Sequence, residues 1–494
     1  MNTRKRIRAP WLSVPVLALV QACASGPSTD PASAAALSGI EEDLPAAFAF
    51  PGDAGGAGGA VVPWRDFFAD APLRGLIEEA LANNQEQQLL LAELEVARNE
   101  AAARSGEYLP SAVLRAGAGK DKVGEYTREG AVEEQLDLRE DRSFPEPLPD
   151  YLVGIDVSWE LDIWHQLRDA QKAAVLRYLA TAEGRRFAQT HLVSEIATSY
   201  YELVALDRKA EILQQMIDIQ QAALEAVRLQ KRAGEVTELA VRRFEAELQR
   251  NRSERFRLQQ EVLQTENRLN FLAGRFAGRV DRASASLSPD ALAGLSAGEP
   301  AALLASRPDV RAAELELAAA GLDVRVARAR FYPSLGINAA IGFNAAEADL
   351  LFESPESLAY GFAADLVMPL LNRHGIQAAY NSANAMQQQA LVRYRQTVLK
   401  AYLEVSNQLS LLDNLGGSIR TKQDQADALT RSIDIANRLF RSARADYTEV
   451  LLTQRDALEA RMELIELEQQ QIAALVRLYG LLGGGTESPA AGAG

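Results

Sequence analysis

Side chains able to do covalent or metal chemistry are scarce in this chain. Its 494 residues include one cysteine and three histidines. A single cysteine excludes an intrachain disulfide framework and a Cys-based zinc site, and three histidines leave little material for a metal centre, so no cofactor is expected. Gly117-Ala118-Gly119-Lys120 has the outline of a phosphate loop, but Asp121 follows the lysine and the upstream spacing is wrong. No Ser-centred nucleophile elbow and no His-Glu-x-x-His motif occurs. The chain does not read as an enzyme. Its 52 basic and 67 acidic residues give a net charge of −15, which repels a phosphate backbone and argues against nucleic acid as a partner.

The composition points to helices. Only 6% of residues are aromatic, 48% are hydrophobic and 24% are charged, and the abundant Ala, Leu, Glu, Gln and Arg lose little rotamer freedom in a helix. At roughly 150 residues per domain the length would suggest about three domains, yet this composition argues against three ordinary globular units. No run of about 18 apolar residues follows the N-terminal segment, so no transmembrane helix is expected in the mature chain.

Residues 1–22 have the outline of a secretory signal peptide: Arg4, Lys5, Arg6 and Arg8 precede an apolar stretch from Trp11 to Val20. Cys23 follows Val20-Gln21-Ala22, and the segment resembles a bacterial lipoprotein signal, in which the cysteine is lipidated and becomes the mature N-terminus. A plain signal peptide that contains a cysteine is the other reading. Residues 23–63, with Gly55-Gly56-Ala57-Gly58-Gly59, cannot bury enough apolar surface to order themselves and read as a flexible tether.

The rest is written twice. Tyr108-Leu109-Pro110-Ser111 recurs as Phe331-Tyr332-Pro333-Ser334, and the same offset places Leu81, Leu94 and Ala97 on Leu304, Leu317 and Ala320. A second register pairs Trp159-Glu160-Leu161-Asp162 with Met368-Pro369-Leu370-Leu371, His165 with His374, Glu195 with Glu404, Gly234 with Ala443 and Val241 with Val450. The copies cover roughly 73–273 and 296–482. With its lead-in the first structural repeat is 64–273, followed by a linker at 274–295, the second repeat at 296–482 and a disordered tail at 483–494. The offset changes in the loop at about 121–150, the longer and more acidic of two equivalent loops.

Within each copy the hydrophobic period switches from helical to two and back. Tyr151, Val153, Ile155, Val157 and Trp159 alternate with Gly154, Asp156 and Ser158; Leu335 to Phe343, Tyr360 to Met368 and, more weakly, 111–119 do likewise. Each has the length of about 9–11 residues that crosses an outer membrane at a tilt, with one apolar and one small or polar face. The flanking helices are long, because no proline occurs between Pro149 and Pro289 or between Pro369 and Pro489. Leu192, Ile196, Tyr200, Leu203, Leu206, Ala210, Leu213, Ile217, Leu224 and Val227 recur at coiled-coil spacing, as do Leu458, Met462, Ile465, Ile472, Val476 and Tyr479, with Gln469 the polar exception. Continuous helix over 163–232 would extend about 105 Å and turn near Gly234. Gly416-Gly417 predicts a kink or short break.

Lipid leaves no backbone group unpaired, so an open four-stranded sheet cannot survive in it. The smallest outer-membrane barrels have about 8 strands, so closure needs at least two chains, and three give about 12 strands and a lumen. The small residues Gly154, Ser158, Gly336, Gly342 and Gly361 suit an open lumen, which favours the trimer.

Trp159-Glu160-Leu161-Asp162-Ile163-Trp164, the Pro369-Leu370-Leu371-Asn372 segment, the Tyr-Leu-Pro and Phe-Tyr-Pro strand entries and the duplication resemble the TolC-type outer membrane efflux proteins, especially the lipoprotein branch serving tripartite drug pumps. The resemblance covers nearly the whole chain after about residue 64. It implies a mainly α fold with a small β part: a homotrimer with a transmembrane β-barrel of about 12 strands, four per chain, in the bacterial outer membrane, continued by a long α-helical barrel through the periplasm. The implied partners are a periplasmic adaptor protein, an inner-membrane RND transporter and outer membrane lipid.

The resemblance also assigns residues. Ala233, Gly234 and Glu235 match the first periplasmic tip, which contacts the adaptor, and Ala443, Arg444 and Ala445 occupy the second; Ala443 stands where the family commonly has glycine. Glu449 falls near a constricting acidic ring, with Asp446 and Asp456 as neighbours and Leu452 where a second acid is expected. Symmetry-related carboxylates at a narrow pore repel one another and attract cations. Solvated acids and ordinary hairpin turns are the plainer readings. His165 and His374 would form a six-imidazole belt in a trimer, or serve in junction capping and surface hydrogen bonding. Trp159, Trp164, Tyr151 and Tyr360 would form an aromatic interface belt or pack on a neighbouring subunit. The expected function is a passive exit duct for drugs or other small molecules. The alternatives are the outer membrane channel of a type I polypeptide secretion system and a non-conducting structural envelope lipoprotein.

Overall fold

The computed structural model describes Pro45, Phe48 and residues 62–484, apart from 134–136, 140–141, 144, 146, 283–285, 290–291, 293–294, 296–299, 302–305, 372 and 443. The signal peptide, Cys23 and nearly all of the tether lie outside the described residues, as do 485–494 of the tail. Residues from Phe48 onward form one unit.

That unit opens with α1 (Trp64–Phe67), α2 (Ala71–Asn83) and α3 (Gln85–Glu107). Strand β1 (Ser111–Asp121) follows, then a loop, β4 (Leu148–Leu161), α5 (Gln166–Arg232) and α6 (Glu238–Leu272). The second copy repeats this order in α7 (Pro308–Ala329), β5 (Ser334–Ala345), β6 (Leu358–Val367), α8 (His374–Arg441) and α9 (Tyr447–Leu481). The loop after β1 is more structured than its polar composition suggests: it carries α4 (Arg128–Glu133) and a small ladder of β2 (Asp137–Arg139) with β3 (Arg142–Ser143).

The expected helix break at Gly416-Gly417 is absent. Helix α8 runs unbroken through both glycines, whose carbonyls also accept from Arg420 Nε and Thr421 Oγ1 at 3.1 Å. Tertiary packing overrides the local preference, since α8 lies along α9 with Leu415 buried. Helix α5 has 67 residues, about 100 Å of rise, and its predicted apolar positions are buried except Ala210, which is half-buried, with Ile196, Tyr200, Leu203 and Leu213 fully enclosed. One face of its first half packs on α1 and α2 in a core that includes Trp64, Phe67, Phe68, Leu73 and Ile77. Phe67 stacks on Tyr479 of α9 at 4.0 Å, and the Tyr479 hydroxyl donates to the Val62 carbonyl at 2.7 Å.

The main sheet is antiparallel in the order β1-β4-β5-β6, with β1 and β6 as its two edges. Register sorts the residues by face, because directly paired residues share a face. On one face the row Leu114, Ile155, Ile341, Tyr360 lies beside Ala112, Val157, Ala339, Phe362. The other carries Ser111, Ser158, Asn338 and Ala363, then Val113, Asp156, Ala340 and Gly361. On that face Arg115 pairs with Asp156 at 3.0 Å and Asn344 donates to Asp150 at 2.7 Å. All five small residues expected to share a face do so.

The junction from β4 into α5 is capped by a residue that the sequence reading passed over. Asp162 accepts from the backbone N–H groups of Leu167 and Arg168, each at 3.0 Å, and so satisfies two orphan donors of the first helical turn. His165 makes no capping hydrogen bond with its side chain; it holds a left-handed conformation, φ 58°, where glycine would fit without strain. Asp162→Ala is expected to cost about 1 kcal/mol, read as an earlier midpoint in denaturant-induced loss of helical circular dichroism.

Candidate functional site

The two helical hairpin turns close in the same way. Glu235 N–H donates to the Gln230 carbonyl at 2.9 Å, and Arg444 N–H donates to the Leu439 carbonyl at 2.9 Å. These bonds are equivalent in the duplication. In the first turn Gly234 supplies φ 82°, as a helix C-terminus of this kind needs. Ala443, its counterpart, lies outside the described residues. Thr237 caps α6 by accepting from Ala240 N–H at 3.4 Å, and Asp446 at the equivalent position accepts from Tyr447 N–H at 2.8 Å at the start of α9.

The side chains around the two turns differ. Across the first, Arg228 donates to Glu245 at 2.8 Å and Lys231 reaches Glu238, which also pairs with Arg242 of its own helix at 2.8 Å. The Lys231 hydrogen bond holds the Glu238 carboxyl below the ordinary range, and that from Arg228 does the same for Glu245. Depressed carboxylates contribute stability above their unfolded pKa and lose it only as pH falls through the folded one, so this ladder is intact at neutral pH. Across the second turn, no ion pair joins the end of α8 to the start of α9 among the described residues. Arg438, Arg441 and Arg444 stand on one side, and exposed Glu449 lies in the first turn of α9.

The structure therefore brings Glu449 and Asp446 to one helix start, both exposed; Asp446 accepts the Tyr447 N–H as the cap, and among the described residues neither carboxylate has an ion pair. Leu452 is exposed one turn further on. His165 and His374 both sit at strand-to-helix junctions and are exposed. Trp159 donates its indole N–H to the Tyr108 carbonyl at 3.0 Å, while Trp164 donates to the Pro333 carbonyl at 2.8 Å and stacks on Tyr332 at 4.7 Å. Trp164 thus packs on the other repeat of its own chain, a third outcome beside the interface belt and the neighbouring subunit.

A group of charges at the far end of the hairpins escaped sequence reasoning. Arg307, 2% exposed, donates to Asp309 at 2.7 Å, to Glu404 at 3.0 Å and to the Leu481 carbonyl at 3.3 Å. Burial works against its charge, but the hydrogen bonds and charges of Asp309 and Glu404 outweigh that and raise its pKa. Only the repeat pairing of Glu404 with Glu195 drew attention to this level of the chain. Among the described residues no group of three or more His, Cys, Asp or Glu side chains could hold a metal ion, and no helix is long and apolar enough to cross a membrane.

Comparison with known proteins agrees with this geometry. The family model "Outer membrane efflux protein" matches residues 76–275 and again 300–484. The chain is 29% identical over 424 residues to the cation efflux system protein CusC of Escherichia coli O6:H1, covering 85% of this chain and 88% of that protein. It is 26% identical over 422 residues to the probable outer membrane lipoprotein SilC of Salmonella typhimurium, covering 85% and 88%. A crystal structure of CusC, reported for its folding and transmembrane channel formation, superposes with a TM-score of 0.79 at 26% identity, covering 90% of this chain and 98% of that one.

Proposed function

The chain belongs to the outer membrane efflux protein family, and from that premise we propose that it is the exit duct of a tripartite efflux system. Three copies close a barrel in the outer membrane, and their long helices extend the conduit through the periplasm. An adaptor meets the turns at Ala233, Gly234 and Glu235 and at Ala443, Arg444 and Ala445. Driving force comes from the inner-membrane RND transporter. The duct itself does no chemistry, and its cargo is a drug or other small molecule.

The observation that carries this reading is the sheet. It has one apolar and one polar face and, among the described residues, two edges without partners. In hydrocarbon both edges must be paired, and further copies of the same strands supply what is missing. Lipidation at Cys23 fits an outer membrane anchor, and a lipoprotein relative supports it.

Glu449 is the proposed constriction. It sits beside a turn that, among the described residues, lacks the ion pairs found across the first turn, so the second turn is the one proposed to move. Three carboxylates at one level attract cations and repel anions. Purified protein inserted in planar bilayers is expected to conduct with cation preference, and Glu449→Gln to reduce the cation-to-anion permeability ratio severalfold with conductance retained. A protein that is monomeric in detergent and silent in bilayers would overturn the duct. An unchanged ratio in Glu449→Gln would remove this residue from the constriction and leave the duct standing.

A further inference from the structure

We propose that the groove where α9 ends between α5 and α8 is a binding site for a small oxyanion, with phosphate or a carboxylate-bearing solute as the fitting chemistry. The cavity there measures 760 Å³ and is lined by Arg477 and Gly480 of α9, Lys400 of α8, and Thr190 and Ser194 of α5, with Arg268 and Arg307 at its margin.

The duplication explains why the groove carries surplus positive charge. In the first copy Arg268 donates to Glu195 at 3.0 Å, and the His191 imidazole lies 3.9 Å from the same carboxylate. The equivalent residues in the second copy are Arg477 and Glu404. There Glu404 is already held by buried Arg307 at 3.0 Å and by Lys400 at 3.6 Å. Arg477 is left exposed, with no ion pair or hydrogen bond among the described residues. Four permanent cations thus face three carboxylates, those of Glu195, Glu404 and Asp309, in a chain whose net charge is −15.

Two neutral donors complete the site. Thr190 is 4% exposed and its hydroxyl has no partner, and the buried hydroxyl of Ser194 has none either. Unpaired buried hydroxyls are uncommon because each forfeits a hydrogen bond it would make in water. Gly480 lets α9 come this close, since a Cβ there would lie 2.7 Å from the Ser194 hydroxyl. A cation would be repelled by Arg477, and an apolar ligand would leave the hydroxyls unmet. An oxyanion takes the guanidinium fork, and a change of χ1 at Thr190 or Ser194 turns an unmet hydroxyl from the helix contact toward it.

Thr190 and Ser194 lie on a different stripe of α5 from Val193, Ile196 and Tyr200, which pack on α1 and α2. Both face the last turns of α9 instead. On the exit-duct reading, the ligand of the groove beside them is either a resident ion or anionic cargo in passage. The test is isothermal titration of inorganic phosphate into the full-length detergent-solubilised protein at constant ionic strength. One saturable site per chain is expected. Arg477→Ala should weaken it by about tenfold, Thr190→Val should weaken it less, and Lys422→Ala, in an ion pair elsewhere on α8, should leave it unchanged. No saturable binding, or equal affinity in Arg477→Ala, would overturn the site. In bilayers, block of conductance by phosphate in the unaltered protein but not in Arg477→Ala assigns the site to passing cargo, whereas binding without block assigns it to a resident ion. A protein that binds phosphate yet never conducts would count against the duct alone.

Discussion

Gly342→Val is expected to abolish assembled protein in the outer membrane, whereas Gly361→Ala on the same sheet face leaves it intact. Gly342 is paired directly with Gly154 across β4 and β5. A Cβ built on Gly342 would stand 2.5 Å from the Gly154 Cα and 2.5 Å from the Val153 carbonyl oxygen, so the clash is with backbone that cannot swing aside. A branched side chain there forces the strands apart at the one seam that joins the hairpin of the first repeat to that of the second. With the seam open, each chain holds two isolated two-stranded ribbons, which are marginal by themselves, and the polar and apolar faces lose their common register. Gly361 has nothing within 4 Å of its virtual Cβ. Outer membrane fractions run unheated on denaturing gels report the difference: an oligomer band for the unaltered protein and Gly361→Ala, and none for Gly342→Val. An intact oligomer in Gly342→Val would show that this close approach is not needed for assembly.

Much of this architecture was legible because it is written in short-range periodicity. Alternation over Tyr151 to Trp159 places side chains on two faces whatever the partner strand, and apolar recurrence from Leu192 to Val227 selects one helical stripe, so both survive without knowledge of the tertiary fold. Duplication added the long-range information, since it revealed that Gly234 and position 443 belong to equivalent turns. The errors arose where local preference met packing. Gly416-Gly417 reads as a break, but α9 lies along α8 and holds it helical. At the β4–α5 junction the imidazole of His165 drew attention, while the nearby carboxylate of Asp162 does the capping.

The charges that close the second repeat were illegible for a different reason: Arg307 and Glu404 are 97 residues apart, and nothing in either neighbourhood signals the other. Equivalence under the duplication is misleading there as well. Arg268 and Arg477 occupy matching positions, yet among the described residues only Arg268 is paired with a carboxylate.

Arg307→Met is expected to destabilise the protein by about 3–5 kcal/mol, the range for removing one member of a buried ion pair. Arg307 is the residue before α7, and it ties Asp309 of α7, Glu404 of α8 and the last turn of α9 through the Leu481 carbonyl. Methionine fills much of the same volume but donates nothing, so the carboxylates of Asp309 and Glu404 and the Leu481 carbonyl lose their common donor. Glu404 keeps only Lys400, itself largely exposed, at 3.6 Å. Lysine at 307 would retain the charge but not the planar fork that spans three elements, so Arg307→Lys should fall between the two. Because the Arg307 pKa is raised, its guanidinium stays charged throughout the accessible range. Its contribution is fully present below the unfolded-state pKa, which already lies far above mildly alkaline pH, so the loss in Arg307→Met should not fade as pH rises from neutral to mildly alkaline values. Denaturant midpoints followed by helical circular dichroism at two such pH values measure both the size and the pH independence. A shift below about 1 kcal/mol would place Arg307 among the surface pairs that contribute little, and would mean that the three elements are held together by their apolar contacts alone.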